Sequence, residues 1–457
     1  MITARVLLTA AIGLALVGST VPAVATGPVT PSVAVVLPPS AVPAQARIAR
    51  LIPGRVKPLK ALGRNYSGLV VDSPTGLVAW ARRSTTPLRG ASTTKLATAI
   101  NTLSLYGTTS RFPTRVMTGA NPREIVLVAG GDPLLTSSQL RTLARATAQA
   151  LLPLVPPAPV PDPNPGPTPP TTPPPTGFGI SVRLDDTLYP APSRASGWPA
   201  DYVPSVVTPV RPLVRDLRNG SDTAKDATSY FVLQLRQQLR SLLAGRPDIA
   251  ANTAYRGRAK AAPTATEVAR FAGNTTNAIL HWMLLVSDND VAEMMFRNNA
   301  LATGRDASWL SARRAAYATL TALGIYHRGW VLADGSGVSR TDRVSAYGLV
   351  SLLRRSQDPA HPELAPLLGM LPVGGVSGTL AARDGRFNSA PTKCARGKVF
   401  AKTGTLFDTV GLAGFARARD GRLKAFAVLV NSRNPRYSKL AVRRSVDRIP
   451  ATATGCY

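Results

Sequence analysis

The hydrophobic period of this chain changes once between residues 264 and 431, and this change constrains the fold more than any other feature. The segment from about Thr264 to Gly304 has apolar residues at helical spacing, broken at residues 287–289, and residues 306–323 repeat the helical pattern. The segments 398–406, 410–418 and 423–431 are instead short and β-rich, and Asp420-Gly421 joins the last two as a turn. We therefore expect a helical block followed by an antiparallel sheet.

The N-terminal part of the chain predicts further strands for this sheet. Residues 68–82 predict a β-hairpin with a Ser-Pro-Thr-Gly turn at residues 73–76. Residues 91–105 then predict a helix, with Leu96, Ile100 and Leu103 at helical spacing. We therefore expect an α/β (α+β) fold, in which the hairpin and the C-terminal strands form one antiparallel sheet beside the helical block.

A proline-rich insert occupies residues 153–176. Proline and threonine dominate it, and this composition favours extended polyproline II segments that cannot form a packed core. Because a helical pattern precedes the insert and a strand-like segment (178–184) follows it, we predict that it interrupts a domain; a rigid spacer between two domains is the alternative. The expected organisation is an N-terminal tail (26–55), a main domain in two parts (56–108 and 260–457) and a smaller inserted domain (109–259).

The first 25 residues predict a signal peptide. Arg5 supplies a positive charge, residues 6–17 form a short apolar stretch, and Ala23-Val24-Ala25 is a small-x-small cleavage site. About a dozen apolar residues are too few to span a bilayer, which needs about 20, although an uncleaved N-terminal anchor stays open as an alternative. We expect a secreted protein of the periplasm, cell wall or extracellular space, without a transmembrane anchor.

Two cysteines, Cys394 and Cys456, are the only ones in the chain. In an oxidising compartment an even number of cysteines favours a disulfide, and two free buried thiols are the alternative. Two separated cysteines and three scattered histidines do not give metal-ligand spacing. We therefore expect no metal and no cofactor.

The formal net charge is +30, from 54 lysines and arginines against 24 acidic residues. Such a charge raises the question of nucleic acid, but export makes that partner improbable, and the basic residues form no dense run. Their spread favours attraction to an anionic surface such as a cell-wall polymer. A compositional bias toward alanine, arginine and proline explains the charge equally well.

Three short elements carry the candidate chemistry, and the first is Ser92-Thr93-Thr94-Lys95. Positions i and i+3 share one face of a helix, so the Lys95 amine can face the Ser92 hydroxyl and accept its proton if the lysine is desolvated. The second element, Ser287-Asp288-Asn289, falls at the break between helices, where Ser287 and Asn289 can project together into a cleft. Taken singly, each element has a plain structural explanation, such as a helix cap or a turn.

The third element is Lys402-Thr403-Gly404-Thr405, in a predicted strand. Gly404 removes a side chain at a point where a substrate backbone must approach closely, so an extended peptide can add to the sheet as a further strand. Lys402 and the hydroxyls of Thr403 and Thr405 are suited to binding a terminal carboxylate through charge-assisted hydrogen bonds.

Ser-x-x-Lys, Ser-Asp-Asn and Lys-Thr-Gly, in this order, are the set typical of penicillin-binding proteins and class A β-lactamases. The chain resembles the low-molecular-weight penicillin-binding proteins of the D-alanyl-D-alanine carboxypeptidase/endopeptidase family (penicillin-binding protein 4-like, peptidase family S13). Supporting segments are 130–133 (Gly-Gly-Asp-Pro), 185–187 (Asp-Asp-Thr), 197–198 (Gly-Trp), 334–337 (Asp-Gly-Ser-Gly) and 343–345 (Arg-Val-Ser). The chain departs from the family at Gly90-Ala91-Ser92, where Pro-Ala-Ser is usual, and in a shorter segment between the first two elements.

The resemblance implies a serine-type D-Ala-D-Ala carboxypeptidase, with DD-endopeptidase activity as a further option, that cleaves peptidoglycan stem peptides through an acyl-enzyme and is inhibited by β-lactams. It implies a role for each motif residue: Ser92 as nucleophile, Lys95 as its base, Ser287 and Asn289 as assisting groups, and Lys402, Thr403, Gly404 and Thr405 as the substrate-binding strand. The backbone N–H groups of Ser92 and Thr405 are the implied oxyanion hole. Asp185 matches an aspartate of the family's inserted domain, which implies binding of a free amine on the stem peptide; capping of a turn is the commoner role of an aspartate.

Other functions predict other sequence features. A class A-like β-lactamase needs an efficient deacylating base, but no Glu-x-x-x-Asn stands between Ser287 and Lys402. An α/β-hydrolase esterase needs Gly-x-Ser-x-Gly, which the chain lacks. A non-catalytic cell-wall-binding protein fits the charge and the proline-rich insert, but the three intact elements argue against it.

Overall fold

The computed structural model describes residues 39–158 and 176–456. The predicted signal peptide and the centre of the proline-rich insert lie outside the described residues. The helices are α1 (Val42–Val56), α2 (Lys95–Tyr106), α3 (Ser137–Ala150), α4 (Thr223–Leu242), α5 (Thr276–Val286), α6 (Asn289–Leu301), α7 (Trp309–Ala322), α8 (Ala346–Arg355), α9 (Leu367–Met370) and α10 (Lys439–Ala453). The strands are β1 (Tyr66–Asp72), β2 (Val78–Arg82), β3 (Thr114–Thr118), β4 (Glu124–Val128), β5 (Thr176–Asp185), β6 (Ile249–Arg258), β7 (Glu267–Phe271), β8 (Val399–Thr405), β9 (Val410–Arg417) and β10 (Leu423–Val430).

The main sheet has the strand order β2-β1-β10-β9-β8, and its neighbours pair antiparallel. The predicted hairpin thus joins the predicted C-terminal strands through the β1–β10 pair, which confirms the α+β class. Nearly every residue of β9 and β10 is buried, because helices cover both faces of the sheet. On one face lie α2 and α8, and on the other lie α1 and α10.

A second sheet has the order β6-β5-β4-β3-β7. The neighbours β4, β5 and β6 are parallel, and α3 and α4 form the connections between them, so each strand–helix–strand unit packs its helix on the sheet. The proline-rich insert lies between α3 and β5, two elements of this one unit. The prediction of a helix from about Thr264 is wrong for its first residues. Residues Glu267–Phe271 form strand β7 instead, which pairs with β3 and extends the second sheet beyond residue 259.

The segment predicted as an N-terminal tail contains helix α1. Its buried residues Ile48, Ile52 and Val56 repeat every four positions and pack in the core that α10 also borders. A helix rather than a tail forms here because this apolar stripe has a partner almost four hundred residues later in the chain. No helix in the described ranges is both long enough and apolar enough to cross a membrane.

The interior of the helical block is built around α2. Leu96, Ile100 and Leu103, the residues predicted to share a face, are all 0% exposed. Helices α5, α6 and α7 pack around this helix, so the first turn of α2 is fixed against the start of α6. This contact brings the first two sequence elements together.

Cys394 and Cys456 form a disulfide, as expected from the sequence, with their Cα atoms 5.7 Å apart. The bond attaches the short segment after α10 to the turn that precedes β8. Both ends of the chain segment that contains β8, β9, β10 and α10 are thereby held together.

Candidate active site

The candidate nucleophile lies on a tight turn between the hairpin and α2. Residues Ala91–Thr94 form a single 3₁₀ turn that continues directly into α2. Ala91 has a φ of 47°, a left-handed conformation that is costly for a residue with a Cβ atom and is often found beside functional groups. The Thr93 hydroxyl stabilises the turn by donating to the Gly90 carbonyl at 2.7 Å. Ser92 stays partly exposed at the surface of the turn.

The Lys95 amine lies between three oxygen atoms. Its Nζ is 3.0 Å from Ser92 Oγ, 2.7 Å from Asn289 Oδ1 and 3.0 Å from the carbonyl oxygen of Ser336. The side chain is 0% exposed. The structure therefore joins the first two predicted elements directly, through a lysine that is removed from water.

The nature of the three oxygen atoms determines what the amine can do. The carbonyl oxygens of Asn289 and Ser336 can only accept hydrogen bonds, whereas a serine hydroxyl can also donate. A neutral Lys95 amine has two N–H groups, which satisfy the two carbonyls, and its lone pair then faces the Ser92 hydroxyl. Burial lowers the pKa of Lys95 to about 8, although the carboxylates of Glu293 and Asp334 oppose this effect. This geometry suits a general base for Ser92.

Ser287 and Asn289 stand at the predicted break between helices. Ser287 ends α5 with a φ of 65°, and Asn289 begins α6. The Asn289 amide donates to the Val206 carbonyl at 2.7 Å, which turns its Oδ1 atom toward Lys95. The Asp288 carboxylate between them caps α6 by accepting from the Val291 N–H at 3.0 Å. Within the described residues, no hydrogen bond joins Ser287 directly to Ser92 or Lys95.

The third element packs on the serine turn. A Cβ atom added to Gly404 would lie 2.5 Å from the Gly90 carbonyl oxygen and 3.3 Å from the Ser92 nitrogen. Glycine is required here because strand β8 approaches the backbone of the turn too closely for a side chain. The approach places the backbone of Gly404 directly beside that of the candidate nucleophile.

Each polar side chain of this strand has a hydrogen-bond partner. Lys402 is 0% exposed, and its Nζ donates to the Thr403 carbonyl at 3.0 Å. Burial and the positive charge of Lys95 lower the pKa of Lys402 well below its usual value. The Thr403 hydroxyl is 2.7 Å from that of Thr379, and the Thr405 hydroxyl accepts from the Arg443 guanidinium at 3.1 Å.

The outer edge of β8 is covered only over its first half. The Ala401 N–H donates to the Pro372 carbonyl at 2.9 Å, and the Gly374 N–H donates to the Val399 carbonyl at 2.7 Å. From Lys402 to Thr405, the same edge has no backbone partner among the residues that the structure describes. This free edge is the part of β8 that lies beside Ser92.

Sequence reasoning assigned no role in the site to Ser336, Thr379 and Arg443, which contact predicted residues, or to Glu293, which binds the backbone of Ser336. The segment containing Ser336 stood out only as a family match, because its contact with Lys95 uses a backbone carbonyl that no side-chain pattern reveals. Glu293 lies four residues after Asn289, and this spacing on one face of α6 was the available signal. Thr379 and Arg443 belong to segments without a motif.

Asp185 is not among the residues that the structure brings together at Ser92. It ends β5, and its Oδ1 atom accepts from the N–H of Thr187 at 3.1 Å and from the Thr187 hydroxyl at 2.7 Å. Its Oδ2 atom accepts from the Ala261 N–H at 2.9 Å, and the residue is only 7% exposed. In this structure the carboxylate therefore stabilises a turn beside the second sheet, and its expected role in binding a free amine stays a prediction.

A cavity of about 760 Å³ lies elsewhere, between the β1–β2 hairpin and α8. Its lining includes Ser73 and Leu423, which stand at the end of the main sheet opposite Thr405 and Val410. Neither Ser92 nor Lys95 borders it. We therefore assign the candidate site by the contacts around Lys95 and not by cavity size.

Comparison with known proteins identifies the family of the chain. Residues 54–150 and 223–453 match the family described as "D-Ala-D-Ala carboxypeptidase 3 (S13) family". A carboxypeptidase of Mycobacterium tuberculosis is 30% identical over 379 residues, which cover 81% of this chain and 77% of that protein. Carboxypeptidase DacB of Mycolicibacterium smegmatis is 27% identical over 397 residues, 85% of this chain and 80% of that protein.

The fold is also similar to that of a solved structure. Penicillin binding protein 4 (dacB) from Haemophilus influenzae superposes with a TM-score of 0.67 at 19% sequence identity, and the match covers 86% of this chain and 98% of that one. The segment 151–222, outside the family match, contains the proline-rich insert and β5. On the extent of the family match and the identity to the mycobacterial carboxypeptidases, the chain belongs to the D-Ala-D-Ala carboxypeptidase 3 (S13) family.

Proposed function

We propose that this protein is a secreted serine-type D-Ala-D-Ala carboxypeptidase that acts on peptidoglycan stem peptides through an acyl-enzyme on Ser92. The observation that carries the proposal is the position of the Lys95 amine, which is buried and 3.0 Å from the Ser92 hydroxyl. Membership of the S13 family and the names of the curated relatives support the reaction class. Export is supported by the N-terminal sequence pattern of residues 1–25.

In the acylation step, neutral Lys95 accepts the proton of Ser92 while Oγ attacks the carbonyl carbon of the penultimate D-alanine. The backbone N–H groups of Ser92 and Thr405 are proposed to bind the oxyanion of the tetrahedral intermediate. Collapse of the intermediate breaks the peptide bond, and the proton returns to the amine of the departing D-alanine, with Ser287 as the proposed relay. Water then hydrolyses the ester and releases the shortened peptide.

The substrate carboxylate is proposed to bind at the free edge of β8. The hydroxyls of Thr403 and Thr405 provide hydrogen-bond donors, and Arg443 places a cation beside Thr405. Lys402 lies behind them, and a carboxylate bound nearby favours its charged form because opposite charges raise the pKa of an amine. A β-lactam, with a strained amide next to a carboxylate, fits the same arrangement and acylates Ser92.

The first test is the mass of muropeptides before and after incubation with the purified protein. Peptidoglycan fragments that end in D-alanyl-D-alanine are expected to lose one alanine residue, and the Ser92→Ala variant is expected to leave them intact. Conversion of cross-linked dimers to monomers would add DD-endopeptidase activity. Intact stem peptides after prolonged incubation with a folded wild-type protein would contradict the proposal.

A second proposed partner is an anionic cell-wall polymer, bound by an exposed basic surface. The surface joins α1, α10 and the turn at Cys394, which pack together, and consists of Arg47, Arg50, Lys57, Lys60, Arg64, Lys393, Arg396, Lys398 and Arg444. Across residues 39–158 and 176–456, none of these cations forms an ion pair with a carboxylate, so their charge is available to a polyanion.

Reversing three charges of this surface is expected to weaken binding to polyphosphate, used here as the probe. In Arg47→Glu/Arg50→Glu/Lys57→Glu, we expect an apparent affinity at least about 10-fold lower at low salt and a weaker dependence on ionic strength. The matched control, Arg115→Glu/Arg145→Glu/Lys260→Glu, makes the same change in net charge at exposed residues of β3, of α3 and of the loop after β6. Equal losses in the two variants would show that net charge, and not this surface, determines binding.

A further inference from the structure

Glu293 is a buried acidic residue to which the proposed reaction assigns no role. It is 0% exposed, on helix α6, and a buried carboxylate is costly unless its hydrogen bonds are satisfied. Its Oε2 atom accepts from the Gly335 N–H at 2.9 Å, and its Oε1 atom accepts from the Ser336 N–H at 2.9 Å. The side chain therefore holds two consecutive backbone N–H groups of the Asp-Gly-Ser-Gly segment.

The same segment supplies one of the acceptors of Lys95. The carbonyl of Ser336, whose N–H is bound to Glu293, accepts from Lys95 Nζ at 3.0 Å. The other carbonyl acceptor belongs to Asn289, four residues before Glu293 on the same face of α6. Helix α6 thus determines both carbonyl positions around the amine, one directly through Asn289 and one through the backbone that Glu293 holds.

Other contacts fix the segment without replacing Glu293. The Thr98 hydroxyl donates to the Gly335 carbonyl at 2.6 Å, and the Gly337 N–H donates to Asp334 Oδ1 at 2.7 Å. A Cβ atom on Gly337 would lie 2.0 Å from the Ala91 carbonyl oxygen, so the segment lies against the serine turn itself. A small shift of this segment would move the Ser336 carbonyl relative to both Lys95 and the turn.

We propose that Glu293 is a positioning residue for the general base: it fixes the Ser336 carbonyl that orients the Lys95 lone pair toward Ser92, and its negative charge helps to set the pH at which Lys95 becomes a base. This inference rests on the proposed acyl-enzyme function. Both carboxylate oxygens accept N–H groups, which is the arrangement expected of the ionised form.

The charges around this pair come from several elements. The carboxylates whose negative charge raises the pKa of Lys95 are those of Glu293, Asp334, Asp288 and Asp290. The nearby positive charge is that of Lys402. The charges that act on Glu293 are those of Asp334 and Lys95, and Glu293 in turn acts on Arg297 and Asp342. Burial and the charge of Asp334 raise the pKa of Glu293 well above its usual value, and the two N–H groups bound by the carboxylate and the Lys95 ammonium oppose this shift. Removal of the Glu293 charge therefore favours neutral Lys95 and lowers the pKa of the lysine.

The test is the rate of Ser92 acylation by benzylpenicillin as a function of pH, followed by mass spectrometry of the full-length mature protein. In Glu293→Gln, an amide N–H₂ group faces a backbone N–H donor, so we expect the plateau rate to fall by about 100-fold. The acid limb of the profile should also move down by about one pH unit, because a charge that favours the lysine ammonium is lost. Glu293→Asp keeps the charge and should lower the rate without moving the limb.

The matched control is Asp132→Asn, since Asp132 is equally buried and accepts the N–H groups of Leu134 and Asn274 away from Lys95. It should leave the acid limb in place. An unmoved limb in Glu293→Gln would overturn the inference, because a merely structural role predicts a uniform loss. Partial unfolding would lower the rate constant, so the deciding readout is the position of the acid limb. Failure of the wild-type protein to form the Ser92 adduct would instead refute the proposed function.

Discussion

Protein in which Lys95 is replaced by alanine is expected to be acylated by benzylpenicillin about 10³- to 10⁴-fold more slowly than the wild-type chain. The variant loses the only amine within hydrogen-bond distance of the Ser92 hydroxyl in the described structure. It also leaves the carbonyls of Asn289 and Ser336 without their common donor, so a moderate loss of stability should accompany the loss of rate. The adduct is to be quantified by intact mass and located by peptide mapping.

Three controls make this result specific. Ser92→Ala should form no adduct at all, whereas Lys398→Ala, which removes an exposed lysine just before β8, should be acylated at the wild-type rate. Ser336→Ala should also remain measurably labelled, because its contact with Lys95 uses the backbone carbonyl. Added mass on a residue other than Ser92, or rapid labelling of Lys95→Ala, would contradict the assignment of nucleophile and base.

The pH dependence of the wild-type rate follows from the same lysine. Only the neutral amine can accept the serine proton, and burial lowers the pKa of Lys95 to about 8. The acylation rate should therefore rise with pH up to this value and level off above it. A profile that is flat from pH 6 to pH 9 would show that the Lys95 amine is not the titrating base.

Substitution of Gly404 by alanine is the second change with a large expected effect. The new Cβ atom would lie 2.5 Å from the Gly90 carbonyl oxygen, a backbone atom that cannot rotate away. Strand β8 and the serine turn must therefore separate, and a shift of this kind is expected to reduce the acylation rate by about 100-fold. The measurement is again the rate of adduct formation, together with thermal unfolding of each variant.

Gly177→Ala provides the matched control for this substitution. Gly177 is also in a strand, β5, but a Cβ atom there meets nothing within 4 Å. This variant should be acylated at the wild-type rate. If Gly404→Ala were acylated equally fast, the close approach of β8 to the serine turn would not be needed for the reaction.

The strands of the main sheet could be predicted from local sequence patterns, because the turns and the β-rich runs that indicate them lie within short segments. The hairpin turn at residues 73–76 and the Asp420-Gly421 turn each join neighbouring strands, and the period of α2 predicted its buried face. Long-range pairing was not predictable in this way. Strand β7 was assigned to a helical pattern, since its pairing with β3, some 150 residues earlier, is invisible in its own sequence.

The motif residues of the site were found because their chemistry depends on side-chain type and spacing. Ser92, Lys95 and Asn289 meet as the sequence suggested. The remaining contacts depend on backbone atoms and on burial. Glu293 has the sequence character of an exposed helical glutamate, and only the packing of α6 at the centre of the helical block places it out of water. Asp185 lies away from Ser92 in a turn after β5, and its role in binding an amine stays a prediction, because a family match cannot distinguish a turn from a ligand.

The half-covered edge of β8 has a consequence for how the protein behaves in concentrated solution. Exposed sheet edges can pair with other chains and lead to aggregation. Here the segment 372–374 blocks the first half, and the free part from Lys402 to Thr405 is roughly 13 Å long at about 3.3 Å per residue. That length accommodates the end of a peptide but is too short for stable pairing with a second sheet. The loop that shortens this free edge therefore also limits pairing with a second chain at the candidate site.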